Sequence, residues 1–455
     1  MQISRYSEPE FDPYGDARQT ESDDGWLAPV ATGPLAAVVS LPGSKSLTNR
    51  ELVLAALADG PSTLHAPLWS RDSELMIEAL RALGTGIERT AGSGEFGDDL
   101  LVTPAAELTG STTIDCGLAG TVMRFLPPVA ALALGPTTFD GDEYARHRPM
   151  SGVIEGLQAL GVDLADDRRG TLPFTVHGTG RVGGGELEID ASASSQFVSA
   201  LLLSAARFDR GLDLRHRGDR VPSLPHIEMT IATLAGHGVS VATPEPGRWI
   251  VEPGPIHAAD VDIEPDLSNA APFLIAALVA GGSVTITGWP ATTTQVGAQL
   301  AHLLPRFGAR VELEPGRLTV RAPEVGGDGR GIRGVDLDLS EAGELVPNLV
   351  ALAALADTPS TFTGIGHIRH HETDRLAALA TELNRLGGRV TELDDGLRIE
   401  PAALTGGPWK AYADHRMATT GAIIGLAVPG VVIDDIGTTA KTLPQFTELW
   451  ERLRA

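Results

Sequence analysis

The sequence predicts an α/β protein in which one β-α-β-α-β-β unit occurs six times, three units to each of two domains. Three observations lead there. The chain has 455 residues, more than a single hydrophobic core organises, so two large domains are expected. One pattern recurs along it: an Ala/Leu-rich helix end, a Gly/Pro turn, a short β-branched strand, then a polar corner. It reads "ALADGPSTLHAPL", "ALALGPTTFDGDE", "ALVAGGSVTITGW", "ALADTPSTFTGIG" and "GLAVPGVVIDDIG", with a degenerate copy in "LLLSAARFDRGLDLRHRGD". A second pattern keeps the same phase in "RALGTGIER", "QALGVDLAD", "AGHGVSVAT", "PRFGARVEL" and "NRLGGRVTE".

The first pattern centres strands near Thr63, Thr138, Asp213, Thr285, Thr361 and Val432. Their period of roughly 75 residues is too long for a solenoid. The second ends an amphipathic helix on glycine, which supplies the left-handed cap conformation, and then starts an alternating strand. Five copies of the second pattern against six of the first indicate a unit split between the chain ends. The N-terminal strand "LAAVVSLP" is expected to complete it. Helices such as "APFLIAALVA" and "LVALAALA" are apolar all round and belong inside each domain. Ligands then favour the cleft between the domains.

Composition narrows the function. The chain is 42% apolar and 21% charged, with no apolar run long enough to cross a membrane. A single cysteine, Cys116, excludes a disulfide framework and suits the cytosol. Residues 1–25 are polar and acidic, resemble neither a signal nor a transit peptide, and are expected to be a disordered extension. A net charge of −24 disfavours nucleic acid and anionic membranes as partners. An anionic substrate would need a local basic island. Lysine stands only at Lys45, Lys410 and Lys441 among 35 basic residues. Arginine is a permanently charged fork, whereas lysine is a compact charge that can lose a proton. Lys45 and Lys441 therefore hint at roles arginine cannot fill, against the plain alternative of surviving surface lysines.

The polar patches sit near helix starts. "GSKSLTNR" leads into "ELVLAALA", where backbone amides and serines attract anions and Lys45 and Arg50 add charge. "CGLAGTVMRF" places Gly117 and Gly120 where backbone can approach a ligand, with Arg124 one turn on. "RHRPM" contributes Arg146 and Arg148, or a merely solvated pair. "ASASSQF" sets Ser194, Ser195 and Gln196 before an apolar helix, as an anion site or an ordinary N-cap. "VPSLPHIEMT" adds Ser223 and His226. In "HIRHHETDRL", Glu372 and Arg375 lie one turn apart, and the histidine spacing lacks a zinc motif, so no metal is expected. "SEAGELVPN" holds Glu341 and Glu344, while "ADHRMA" and "TTAKTLP" add Arg416 and Lys441. The glycines of "GTGRVGG" precede a strand rather than a helix, so the dinucleotide fingerprint fails.

Taken in order, "LPGSKSxxNR", "AGTxMR", "SSQF", "ETDR", "DHRM" and "TxAKTxP" resemble the 3-phosphoshikimate 1-carboxyvinyltransferase (5-enolpyruvylshikimate-3-phosphate synthase) family, from about Leu35 to the chain end. The resemblance implies a two-domain inside-out α/β barrel of the enolpyruvyl transferase kind. Residues 26–44 with 263–455 would form the phosphoenolpyruvate side and 45–262 the shikimate 3-phosphate side. It implies addition–elimination, in which the enolpyruvyl group moves to the 5-hydroxyl of shikimate 3-phosphate, with no cofactor and no metal. The family context is that of a cytoplasmic, monomeric enzyme of aromatic amino-acid biosynthesis and a glyphosate target. By motif, Lys45 contacts both substrates, and Ser46 and Arg50 take the shikimate carboxylate. Ser194, Ser195 and Ser223 hold its phosphate, and Gln196 lies between the substrates. Gly120, Arg148, Arg375, Arg416 and Lys441 bind phosphoenolpyruvate. Glu372 and Lys45 are candidates for proton transfer at the methylene.

The chain departs from the family at several positions. Glu344 stands where aspartate is the usual base on the hydroxyl, with Glu341 as its rival. His371 replaces a lysine and is expected to titrate near neutrality. His226 replaces a tyrosine, Leu118 an asparagine and Phe125 a proline. Two alternatives stay open: the related UDP-N-acetylglucosamine 1-carboxyvinyltransferase, which relies on a loop cysteine, and a non-catalytic binding relic of the fold.

Overall fold

The computed structural model describes residues 25–92, 94–218, 220–323 and 331–453. Apart from Gly25, the acidic extension expected to be disordered lies outside the described residues. Among these residues the strands form six small sheets, five of four strands and one of three. The expected strand centres fall in Ser62–His65, Leu134–Asp140, Leu212–His216, Gly282–Trp289, Ser360–Thr363 and Val431–Ile433. Gly84, Gly161, Gly238, Gly308 and Gly387, which close the helices of the second pattern, all have positive φ. Side chains with a Cβ resist that conformation, so the recurring glycine fixes where each helix stops.

Six buried helices follow the strand-to-helix turns: α1 (Lys45–Leu57), α2 (Gly120–Ala131), α3 (Gln196–Ala205), α4 (Ala270–Ala280), α5 (Val346–Ala354) and α6 (His415–Ala427). Every residue of α2 and α5 is buried. A helix apolar on all sides has no face to offer water and must sit in the middle of its layer. Helices α1, α2 and α3 pack on one another, as do α4, α5 and α6, and the sheets surround each triplet. One apolar core runs from Leu52 to Ile256; the other joins Ala28–Leu41 to Leu267–Leu453. The order is the reverse of the usual α/β arrangement, in which a sheet is covered by helices. The repeat extends to a polar contact. Asn49 donates to Thr121 Oγ1 at 2.6 Å between α1 and α2, and Asn348 donates to Thr419 Oγ1 at 3.0 Å between α5 and α6.

The split unit closes differently from the sequence expectation. Leu35–Val39 pairs in parallel with Gly282–Trp289, and Asp260–Asp262 pairs with Ser62–His65. The sheet of the chain-end unit is completed instead by Trp26–Leu27, antiparallel to Val432 and Ile433. Two residues are too few to show a period, so this strand leaves no sequence signal. The chain passes between the cores twice, and the two passages lie side by side. Ser44 N–H donates to Glu264 O at 2.7 Å, Asp266 N–H donates to Pro42 O at 2.9 Å, and Gly43 bridges Pro265. A Cβ on Gly43 would fall 2.3 Å from the Ala66 carbonyl oxygen, so glycine is required here. Among the described residues no helix is long and apolar enough to cross a membrane.

One buried ion pair ties α1 to the helix Pro225–Gly236. His237 Nε2 lies 2.7 Å from Glu51 Oε2, and its Nδ1 lies 2.7 Å from the His257 carbonyl oxygen. Both ring nitrogens face acceptors, which suits the imidazolium. Burial opposes that charge, but the hydrogen bond and charge of Glu51 outweigh it and raise the His237 pKa above 6.5. Stability from a raised pKa is fully present below the unfolded value and is lost as pH rises through the folded one. His237→Leu is expected to lower the unfolding free energy by about 3 kcal/mol near pH 6 in urea titrations, because Glu51 is left buried and unpaired. The gap to wild type narrows as pH is raised; a gap independent of pH would contradict this account.

Candidate active site

The N-terminal ends of all six buried helices meet at one cleft, lined by Lys45 and Ser46 of α1, Gly120 and Arg124 of α2, and Gln196 of α3. Ser268 before α4, Glu344 before α5, and His415 and Arg416 of α6 complete this set. Helix starts carry unpaired N–H groups and the positive end of the peptide dipole. Asp414 caps α6 by accepting from Arg416 N–H at 2.8 Å, and Ser44 accepts from Leu47 N–H at 3.5 Å on α1. At Ala119, Ser195, Asn269 and Leu345 the cap residue's own side chain makes no such bond. The cleft is therefore suited to anions by its backbone alone.

Two guanidiniums sharpen this. Arg124 donates to Gln196 Oε1 at 2.9 Å and Arg148 to Leu118 O at 3.0 Å. Both are buried, both line the cleft, and the Nε of each lacks a partner. Among the described residues neither pairs with a carboxylate. Burial, and then Arg148, depress the Arg124 pKa well below its ordinary value, which an incoming anion would relieve. A Cβ on Gly120 would lie 2.9 Å from Arg124 Nη1 and 3.0 Å from Arg148 Nη2. Glycine thus lets both forks close on one point. Arg146, the other arginine of "RHRPM", turns outward to Asp140 at 2.7 Å.

Glu372 and Glu344 supply the acid–base groups. Glu372 Oε1 accepts from Lys441 at 2.5 Å and Oε2 from Arg375 at 2.9 Å. Burial opposes its ionisation, but Lys441 and then Arg375 hold its carboxyl well below the usual range. Burial is also the largest influence on Lys441 and leaves its pKa lowered, although Glu372 pulls the other way. Arg375 is anchored by Asp414 at 2.7 Å. It also donates to His371 Nδ1 at 2.9 Å. Burial and then Arg375 push the His371 pKa well below its ordinary value, correcting the expectation of titration near neutrality. The ring is neutral there, with its proton on Nε2. Glu344 accepts from Ser268 Oγ at 2.9 Å, and its other oxygen lies 3.2 Å from His226 Nε2. Its carboxyl too is held well below the usual range, burial being outweighed by His226, Arg416 and Lys45. The rival, Glu341, does not line the cleft; it binds Arg220 at 3.2 Å and Leu224 N–H at 2.8 Å.

Ser194, Ser195, Ser223 and His371 line the same cleft. Arg50 and Lys441 do not. Arg50 is fully buried, and three of its five N–H donors go to Thr230 Oγ1, Ser46 O and His226 O at 2.8, 2.8 and 3.0 Å. Cys116 is buried outside the lining, and burial, with Asp115 and Asp140, pushes its thiol up. Three partners went unnoticed in the sequence. Asp72 lies 3.4 Å from Lys45 Nζ, Asp266 accepts from Lys45 N–H at 3.1 Å, and Ser268 holds Glu344. Each sits far in sequence from the group it serves, so no local pattern announces it.

The sequence model of EPSP synthase (3-phosphoshikimate 1-carboxyvinyltransferase) matches residues 30–450. The chain is 57% identical over 436 residues to a 3-phosphoshikimate 1-carboxyvinyltransferase from Kocuria rhizophila, covering 95% of this chain and 97% of the relative. An EPSP synthase structure from Acinetobacter baumannii superposes with a TM-score of 0.75 at 22% identity, over 94% of this chain and 97% of that one. The enolpyruvyl transferase NikO from Streptomyces tendae gives 0.71 at 20%, over 94% and 97%. Those two structures share the fold, the two-domain inside-out α/β barrel. On sequence, this chain belongs to the EPSP synthase family.

Proposed function

We propose that the chain transfers the enolpyruvyl group of phosphoenolpyruvate to the 5-hydroxyl of shikimate 3-phosphate and releases phosphate. The observation that carries this reading is the pair of buried, carboxylate-free guanidiniums Arg124 and Arg148, in one cleft with two ionised carboxylates. Two anionic substrates supply the missing counter-charge. In the proposed division, residues 45–262 hold shikimate 3-phosphate, and residues 26–44 with 263–455 hold phosphoenolpyruvate. Ser194, Ser195 and Ser223 take the shikimate phosphate, Ser46 its carboxylate, and His371 donates from Nε2. Arg50 acts from beneath, by fixing Ser46 and His226. Gly120, Arg148, Arg375 and Arg416 take phosphoenolpyruvate, Lys441 sets Glu372, and Gln196 stands between the substrates.

In the addition step Glu344 accepts the hydroxyl proton as the oxygen bonds to C2, while the C2–C3 π pair takes a proton at C3 from Lys45. In the elimination step a C3–H bond breaks toward Glu372, the double bond re-forms, and the C2–O bond to phosphate breaks. The buried thiol of Cys116 argues against the UDP-N-acetylglucosamine reaction, and the held carboxylates argue against a binding relic. We further propose a cytoplasmic monomer; light scattering on the purified chain should give the mass of one chain.

Phosphate release should require shikimate 3-phosphate and should not occur with UDP-N-acetylglucosamine; the reverse result would sink the reading. Lys45→Arg and Glu372→Gln should each lower kcat by about a hundredfold or more. Lys45→Arg should leave the melting temperature nearly unchanged, whereas Glu372→Gln should lower it, because Lys441 loses its buried carboxylate partner. Full rate in both would remove them from the proton path. Gly120→Ala should raise KM for phosphoenolpyruvate roughly tenfold, about 1.4 kcal/mol, with a smaller effect on kcat. Equal loss in KM for both substrates would mean that the glycine does not shape one subsite.

A further inference from the structure

Glu344 has three rotatable bonds and sits just before α5, so its carboxylate needs fixing before it can meet a hydroxyl in one geometry. Ser268 fixes one oxygen, and His226 faces the other at 3.2 Å. His226 is itself buried, in the first turn of the helix Pro225–Gly236, and lines the cleft. Its carbonyl accepts from Arg50, from Ser199 Oγ at 3.3 Å and from Thr230 Oγ1 at 2.9 Å, so the backbone beneath the ring is pinned. The segment carrying it belongs to one core and Glu344 to the other. What joins them is a clip: Glu341 binds Arg220 and Leu224 N–H, and Ser223 N–H donates to Ser340 O at 3.2 Å. Ser223 adopts φ of 52° to make this turn.

Resting on the function proposed above, we propose that His226 is a positioning residue for the base Glu344, delivered to it by the Glu341 clip. The imidazole Nε2–H donates to one carboxylate oxygen, leaving a lone pair of the other for the substrate hydroxyl. Neutral or protonated, the ring favours the ionised carboxylate, more strongly when protonated. The remaining charged groups around Glu344 are Arg416 and Lys45, which favour its ionisation, and Asp266, whose own ionisation it disfavours. Arg50 and Arg375 feel its charge as well, and His367 feels that of His226. Glu341, which looks like a second base in the sequence, therefore holds the clip rather than the proton.

The test compares wild type with His226→Phe, His226→Gln and Glu341→Ala, assaying phosphate release from phosphoenolpyruvate and shikimate 3-phosphate from about pH 3 to pH 9. Loss of the donor raises the Glu344 pKa, so His226→Phe should lower kcat by roughly tenfold to a hundredfold and move the acid limb to higher pH. His226→Gln keeps an N–H donor and should recover most of kcat, with an acid limb between the two. Glu341→Ala should lower kcat several-fold and shift the limb in the same direction. An acid limb that stays put in His226→Phe, or a glutamine variant as slow as the phenylalanine one, overturns the role of His226. A Glu341→Ala profile identical to wild type overturns the clip. Wild type inert toward shikimate 3-phosphate would instead overturn the function, and thermal melts separate all of these from misfolding.

Discussion

The structure depends on one constraint: six helices lie buried along most of their length, yet their first turns cannot be sealed off. Each helix start carries N–H groups that no residue within the helix can accept from, and burying them dry would cost about as much as lost hydrogen bonds. Packing the helices three by three with sheets outside hides their sides and leaves only the ends free. Turning all six N-termini toward one opening solves the problem once. The cleft is then positive before any side chain is counted. The anion site is thus a by-product of how the cores are built, which the basic side chains refine.

Refinement comes from unequal pairing of charge. Arg375 is satisfied three times over, by Asp414, Glu372 and His371, and serves as a fixed post. Arg124 and Arg148 have amide and carbonyl acceptors only. A buried cation without a counter-ion is costly, and a chain of net charge −24 could readily have supplied a carboxylate at that point. Leaving them unpaired sets stability against binding, as is usual where a site is kept ready for a charged ligand. The carboxylates show the opposite treatment: Glu372 and Glu344 are each held on both oxygens, which fixes their direction as well as their charge.

Much of this was legible in the sequence, for a physical reason. The repeat could be read because the same local events recur: a glycine that must be left-handed, an alternating strand, a helix with no polar face. Site residues could be read where they sit at helix starts, since turn chemistry and anion chemistry use the same small polar residues. What could not be read is whatever depends on pairing at a distance. Trp26–Leu27 is too short to have a period, and the more legible "LAAVV" belongs to a different sheet. Asp72, Asp266 and Ser268 look like ordinary turn residues until folding brings Lys45 and Glu344 to them. Arg50 reads as a ligand from its motif, and what the motif does not show is that it lies buried against Thr230 and His226.

The paired passages between the cores also bear on how the chain is made. The sheet of Ser62–His65 finds its last strand at Asp260–Asp262, so that core is complete once the ribosome has delivered it. Leu35–Val39, synthesised earlier, has no partner until Gly282–Trp289 emerges, and Trp26–Leu27 waits for Val432 and Ile433. Among the described strands, these two early ones are thus among the last to pair, while the later segment folds between them. Alanine at positions 36 and 37 keeps the waiting strand short of bulk, and a strand of five residues offers only a small edge for another chain to capture.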